Sequence, residues 1–226
     1  MLPKSVAESL KRNQTVKAEQ FDDCTFFQSD MVGFTRLSAS SFPLEVTEML
    51  NCVFSCFDTR IELYDVYKVE TIGDGYVVAS GVPRKNGRRH ASEICTMSLD
   101  LLYHMSKLEL PHSPGDRYTI RTGCHSALIV AGVVGSKNPR YCLFGSTARG
   151  AALMKSSGKA NRIQISETTN RILEKIGGFN VEPREINDID VHRELVSLGL
   201  SHKTYWLLSK DNLDWGLSSM SSLSEL

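Results

Sequence analysis

The run from Tyr67 to Gly81, YKVETIGDGYVVASG, limits the fold more tightly than any other stretch of the chain. Tyr67, Val69 and Thr71 alternate as an incoming strand does, and Tyr76 to Ala79 is a short apolar return strand. Between them Gly73-Asp74-Gly75 supplies turn chemistry, with two glycines free to take positive φ. A β-hairpin with one carboxylate at its bend is therefore expected. A second strand, Cys24 to Asp30, ends in another aspartate and runs into a turn at Gly33. An aspartate in a turn is by itself a turn former. Two of them at two strand ends supply hard oxygen ligands that a divalent cation can share.

The rest of the chain reads as one α+β unit around this pair. Leu2 to Leu10 is patterned as an amphipathic helix, which Asn13-Gln14 interrupts, and Thr15 to Gln20 leads into the first strand. Leu44, Val46, Met49, Leu50, Val53, Phe54, Phe57 and Ile61 predict a long core helix from Pro43 to Leu63, capped by Ser40 or Ser41. Pro83 to His90 reads as a basic, solvated loop, although a triphosphate contact is conceivable, and His90 to Lys107 as a second helix. Pro111 to Gly115 reads as loop, and Tyr118 to His125 and Ile129 to Val134 as a hairpin around Ser126-Ala127. The order from Asp23 to Gly135 predicts a ferredoxin-like βαββαβ core with a further hairpin. C-terminal additions follow: a helix from Ser146 to Ser157, a strand from Arg162 to Ile165, a helix from Ser166 to Lys175 and a strand from Lys203 to Leu208. The expected divisions are an entry helix and linker over residues 1–20, a catalytic domain over 21–210 and a disordered Ser-rich tail over 211–226.

At 226 residues and 41% hydrophobic content the chain can bury a full core. Its 26 basic and 26 acidic residues cancel, so no global field draws it to nucleic acid or an anionic membrane, and any phosphate binding must be local. No apolar run approaches the roughly 20 residues of a bilayer crossing. The chain lacks a membrane segment and a signal-peptide core, and is expected to be soluble. Six cysteines without a CxxC pair fit reduced thiols, and Cys52 and Cys56, one helical turn apart, read as packing ahead of metal binding.

Ser29-Asp30-Met31-Val32-Gly33-Phe34-Thr35, the hairpin and Tyr141-Cys142-Leu143-Phe144-Gly145 together resemble the catalytic domain of class III nucleotidyl cyclases. With Val66 to Asp74 and Asn86-Gly87-Arg88-Arg89-His90-Ala91 the likeness narrows to receptor-type (particulate) guanylate cyclases, and it runs from about Leu2 to Lys210. The resemblance implies conversion of GTP to cyclic GMP and pyrophosphate, by attack of the ribose 3′-hydroxyl on the α-phosphate with two Mg²⁺ or Mn²⁺ ions. It assigns the metals to Asp30 and Asp74, phosphate contacts to the backbone at Gly33, Phe34 and Thr35, and guanine recognition to Glu70 and Cys142. A carboxylate suits guanine, whose N1 and N2 are donors. His125 matches the family's strand-end histidine, which is more often structural than catalytic. The implied partner is a second cyclase subunit, in a homodimer or heterodimer. The implied location is the cytoplasmic side of a plasma-membrane receptor, of which this chain is a fragment or a truncated product.

Five departures from the family qualify this, a slight one being Ala127-Leu128 where the family usually carries a Gly-Pro pair. Active relatives carry Asn where this chain has Arg149 and Arg where it has Leu153, the groups that orient the ribose and stabilise the α-phosphate. Ser146 replaces an Asp or Asn, and a serine still caps a helix. A Lys-Gly-Lys-Gly approach to the last strand is replaced by Ser197 to Lys203, without the phosphate-binding lysine. Arg149, four residues before Leu153, is a candidate catalytic replacement whose guanidinium would reach the phosphate, and equally a group that could block the ribose. The alternative to a weak, partner-dependent cyclase is a catalytically deficient subunit that dimerises and regulates another chain.

Overall fold

The computed structural model describes residues 2–111 and 113–213. In chain order the elements are α1 (Lys4–Lys11), β1 (Glu19–Met31), α2 (Phe34–Ser40), α3 (Pro43–Ile61), β2 (Tyr67–Ile72), β3 (Gly75–Ser80) and α4 (Arg89–Met105). There follow β4 (Glu109–Leu110), β5 (Ser113–Arg117), β6 (Ile120–Val134), β7 (Arg140–Phe144), α5 (Ser146–Ser156), β8 (Ile163–Ser166), α6 (Glu167–Ile176), β9 (Phe179–Arg184), α7 (Ile189–Ser197) and β10 (Thr204–Lys210). The main sheet runs β2-β3-β1-β6-β8-β10-β9, with β7 paired to β6. Its first four strands have the ferredoxin-like order the sequence predicts, and β6 and β8 pair in parallel.

The alternation of β1 assigns its side chains to two cores. Phe27 and Met31 face Met49, Val53 and Phe57 of α3 and Ile94, Leu101 and Met105 of α4. Phe21 and Phe26 face the other way, toward Val6 of α1, Ala151 of α5 and Tyr141 of β7. Asp30 and Gln28 share the face of Phe26, because strand side chains alternate with period two. Gly123 of β6 lets α5 lie on this face, since a Cβ there would collide with the backbone of Ala151 and Lys155. Between the helices of the first core, Asp100 of α4 is fully buried and takes a bidentate ion pair from Arg60 of α3, at 2.8 Å for each contact. Tyr64 donates to the same carboxylate at 2.9 Å, and His104 Nδ1 is 2.8 Å from it.

Four expectations are corrected. Ile120 to Val134 is one continuous strand, because Ser126 and Ala127 stay in register with Thr25 and Cys24 and never turn. Pro111 to Gly115 is not all loop, since Ser113 opens β5, which pairs with β4. Helix α3 starts after Phe42, whose N–H donates to Glu45 at 2.8 Å, so neither Ser40 nor Ser41 is its cap. Of the two turn glycines only Gly73 takes positive φ, at 60°. The six cysteines are free thiols. Most of the Ser-rich tail lies outside the described residues.

Candidate active site

Asp30 is the last residue but one of β1 and Asp74 occupies the β2–β3 turn. The end of β1 and the β2–β3 turn lie side by side because β1 and β3 pair through Ser29 and Tyr76. Asp74 Oδ2 accepts the Met31 N–H at 2.9 Å, which places its carboxylate one residue from Asp30. Asp30 is opposite Arg121 in the β1–β6 ladder. Arg121 grips it with both prongs, Nε to Oδ1 at 3.0 Å and Nη2 to Oδ2 at 2.8 Å. Those hydrogen bonds first, and then the charges of Asp30 and Asp74, hold the Arg121 guanidinium more firmly protonated than usual. Lys155, in the last turn of α5, adds a third contact to Asp30 Oδ2 at 3.1 Å.

On the same sheet face lies a cleft of about 660 Å³, lined in part by Phe26, Gln28, Glu70, Thr71, Tyr141, Cys142 and Ala148. The sheet curls so that β2 and β7 approach across it, and the Tyr67 and Tyr141 rings meet edge to face at 6.0 Å. Burial pushes the hydroxyls of both tyrosines up to about 12, so they remain neutral hydrogen-bonding groups at neutral pH. Glu70 and Cys142 thus face one hollow from opposite strands. Gln28 donates to the Ala148 carbonyl at 3.0 Å and ties the cleft floor to α5.

The other expected residues fall at the margins. Gly33, at φ 76°, is the residue before α2, and Phe34 and Thr35 open that helix directly beyond Asp30. Arg149 is exposed on α5, whereas Leu153 is buried in a small cluster with Met154, Ile186 and Leu195. Lys85 and Arg89 make exposed ion pairs with Glu19 and Asp65, which fits a solvated basic loop. Lys203 lines a separate hollow with His192 and His202.

Arg121 and Lys155 join the site only in the folded structure. A charged residue inside a strand otherwise read as buried was the available signal for Arg121, and nothing local marks Lys155.

His125 is buried in the core of the sheet. Its Nδ1 is 2.8 Å from Ser166 Oγ, and Gly150 leaves room for α5 to pass over the ring. Burial pulls its pKa down to about 4. The neutral ring therefore stabilises the fold fully above the ordinary value near 6.5, and that contribution drains away as pH falls from about 6.5 to 4. The expected loss is about 3 kcal/mol over this window. Urea unfolding between pH 7 and 4 measures it; His125→Asn should flatten that part of the profile, and an unchanged profile would show that other groups set it.

The donor set fits a hard divalent cation. Asp30 and Asp74 are both carboxylates, and Asp74 still has acceptor capacity after taking one N–H. Among the described residues no group of three or more His, Cys, Asp or Glu side chains stands ready for a metal. The remaining ligands of Mg²⁺ at such two-carboxylate sites come from water and substrate phosphates.

Residues 16–209 match the family of adenylate and guanylate cyclase catalytic domains. The chain is 48% identical over 217 residues to atrial natriuretic peptide receptor 2 of Mus musculus, covering 96% of this chain and 20% of that protein. It is 49% identical over 211 residues to retinal guanylyl cyclase 2 of Bos taurus, covering 93% of this chain and 18% of that protein. The chain therefore spans about a fifth of the length of these relatives. Among solved structures, the guanylate cyclase domain of RhGC from Catenaria anguillulae in complex with GTP superposes with a TM-score of 0.74 at 29% identity, over 85% of this chain and 100% of that one. The dimeric guanylyl cyclase domain of the RhoGC fusion protein from Blastocladiella emersonii gives 0.73 at 30% identity, over 87% and 99%. With the family matched along nearly its whole length and the class III cyclase fold reproduced, the chain belongs to the adenylate and guanylate cyclase catalytic domains.

Proposed function

We propose that this domain converts GTP to 3′,5′-cyclic GMP and pyrophosphate, and that it does so in a dimer with a subunit supplying groups it lacks. The carrying observation is the Met31 N–H to Asp74 contact, which brings the second carboxylate beside Asp30 at the end of β1. Asp30 and Asp74 would hold two Mg²⁺ or Mn²⁺ ions against the triphosphate. When bound, such ions lower the pKa of the 3′-hydroxyl and neutralise charge on the phosphates.

The chain's own residues bind and orient. The backbone at Gly33, Phe34 and Thr35 lies where α2 begins and offers N–H donors to phosphate. Glu70 is suited to accept from guanine N1 and N2, with Cys142 on the facing strand near O6. Each site is completed across the dimer, with the aspartates of one chain facing the base, ribose and α-phosphate contacts of the other. Here the burial of Leu153 favours a heterodimer, because an apolar side chain covered by Ile186 and Leu195 cannot donate to an α-phosphate. Removing one preorganised donor costs about 10²–10³ in rate. The alternative, a regulatory subunit without catalysis, draws on the same substitution.

The similarity to receptor cyclases supports a domain at residues 21–210 preceded by a linker. It also supports a place on the cytoplasmic side of a membrane receptor. No helix among the described residues is long and apolar enough to cross a membrane.

The test is MnGTP turnover by the chain alone, and by the chain mixed with a guanylate cyclase subunit that keeps its Asn and Arg but has lost both metal-binding aspartates. Cyclic GMP should rise at least about 10²-fold in the mixture. Silence in both settings would favour the regulatory subunit. Arg149→Ala should lower any turnover of the chain alone if Arg149 replaces the missing donor, and unchanged turnover removes Arg149 from the mechanism.

A further inference from the structure

The pair at Asp30 carries more positive charge than a metal-holding carboxylate needs. The Asp30 side chain is 13% exposed and takes three contacts from two cations, with Lys155 and Arg121 sharing Oδ2. Arg121 is its cross-strand partner and grips both oxygens in a fixed plane. Lys155 arrives from another element. Gln28 and Gly123 are partners one ladder step away on the same face, and Gly123 lets the backbone of α5 rest there. From that support the Lys155 side chain extends toward the Asp30–Arg121 step. Its ammonium is a single point charge on a flexible stem, whereas Arg121 is held at both oxygens by its planar fork.

We propose that Lys155 is a tethered competitor of the divalent cation, occupying Asp30 Oδ2 until the ion displaces it and so raising the metal concentration the domain requires. This inference rests on the reading of Asp30 and Asp74 as the metal-binding pair. Asp30, Asp74, Arg121 and Lys155 sum to zero charge with the lysine in place and to one net negative charge once it swings out. Arg121 already takes one acceptor site on each Asp30 oxygen, so the Lys155 ammonium and a doubly charged ion compete for what remains on Oδ2, and their like charges repel in a partly desolvated site. Lys155 is 20% exposed and near the end of its helix, so its four-carbon stem can release the head to water while α5 keeps its place. A solely structural ion pair would behave differently: its loss would weaken the fold and leave the carboxylates no better at binding metal.

The experiment is Mn²⁺ binding followed by electron paramagnetic resonance and calorimetry, without nucleotide, on the full chain and on Lys155→Met, which keeps the unbranched stem without the charged head. Removing the competitor should tighten Mn²⁺ at least about tenfold. Asp30→Asn in the Lys155→Met background should abolish the gain and locate it at this carboxylate. Affinity that is unchanged or weaker in Lys155→Met, or absent from both proteins up to millimolar Mn²⁺, overturns the proposal. Thermal unfolding of each variant separates these outcomes from misfolding, and Lys155→Gln serves as a second substitution if the methionine variant does not fold. Tighter Mn²⁺ binding with no GTP turnover in any mixture would leave this inference standing and remove the cyclase reading. Turnover with Mn²⁺ affinity indifferent to Lys155 would do the reverse.

Discussion

Asp74→Asn should reduce GTP turnover at least about 10²-fold in the mixed dimer while leaving the fold intact. The reason lies in the two jobs its carboxylate does. An asparagine amide oxygen can still accept the Met31 N–H that Asp74 Oδ2 accepts at 2.9 Å, so the turn between β2 and β3 keeps its tie to β1. What disappears is the negative charge, and with it a hard anionic ligand for a cation that must also neutralise triphosphate charge. Asp30→Asn is less clean, because it would leave Arg121 and Lys155 facing a neutral group. The measurement is initial-rate turnover at saturating Mn²⁺, alongside a melting curve. Turnover within about threefold of the parent, with the melting temperature unmoved, would take Asp74 out of the chemistry.

A second large effect is expected far from the cleft. Asp100→Ala should destabilise the domain by about 3–5 kcal/mol, the range found when one member of a buried ion pair is removed. Asp100 is fully buried, and Arg60, Tyr64 and His104 all converge on it. Alanine would strand the Arg60 guanidinium, which is only 24% exposed, and leave the Tyr64 hydroxyl without its acceptor. For a domain of this size the shift corresponds to roughly 10 °C in melting temperature. Asp100→Asn keeps one acceptor and should cost less. A loss below about 1 kcal/mol for the alanine variant would mean that water reaches the Arg60 head and that the α3–α4 junction is looser than its contacts indicate.

Both predictions concern carboxylates, yet only one was visible in the linear chain. Asp74 lies between two glycines in a hairpin, and Asp30 ends an apolar strand before a glycine, so turn chemistry and alternation mark both locally. Asp100 lies within a helix whose apolar spacing is plain in the sequence, but nothing in that spacing marks its acid as buried. Its partner Arg60 is 40 positions away, and no periodicity connects them.

The order of amino acids by itself determined the elements whose signal is local: the hairpin, the core helices α3 and α4, the helix after Gly145 and the ferredoxin-like succession that brings two strand-end aspartates together. Tertiary structure alone decided that Ser126 and Ala127 continue a strand, because the long ladder with β1 overrides a weak break in pattern. It also buried Leu153 beneath α7 and chose the partners of Asp30, one of them 91 residues distant along the chain. Backbone periodicity is written over a few residues, whereas the choice of which charges meet is made by strand register and by how closely a helix can settle on a glycine.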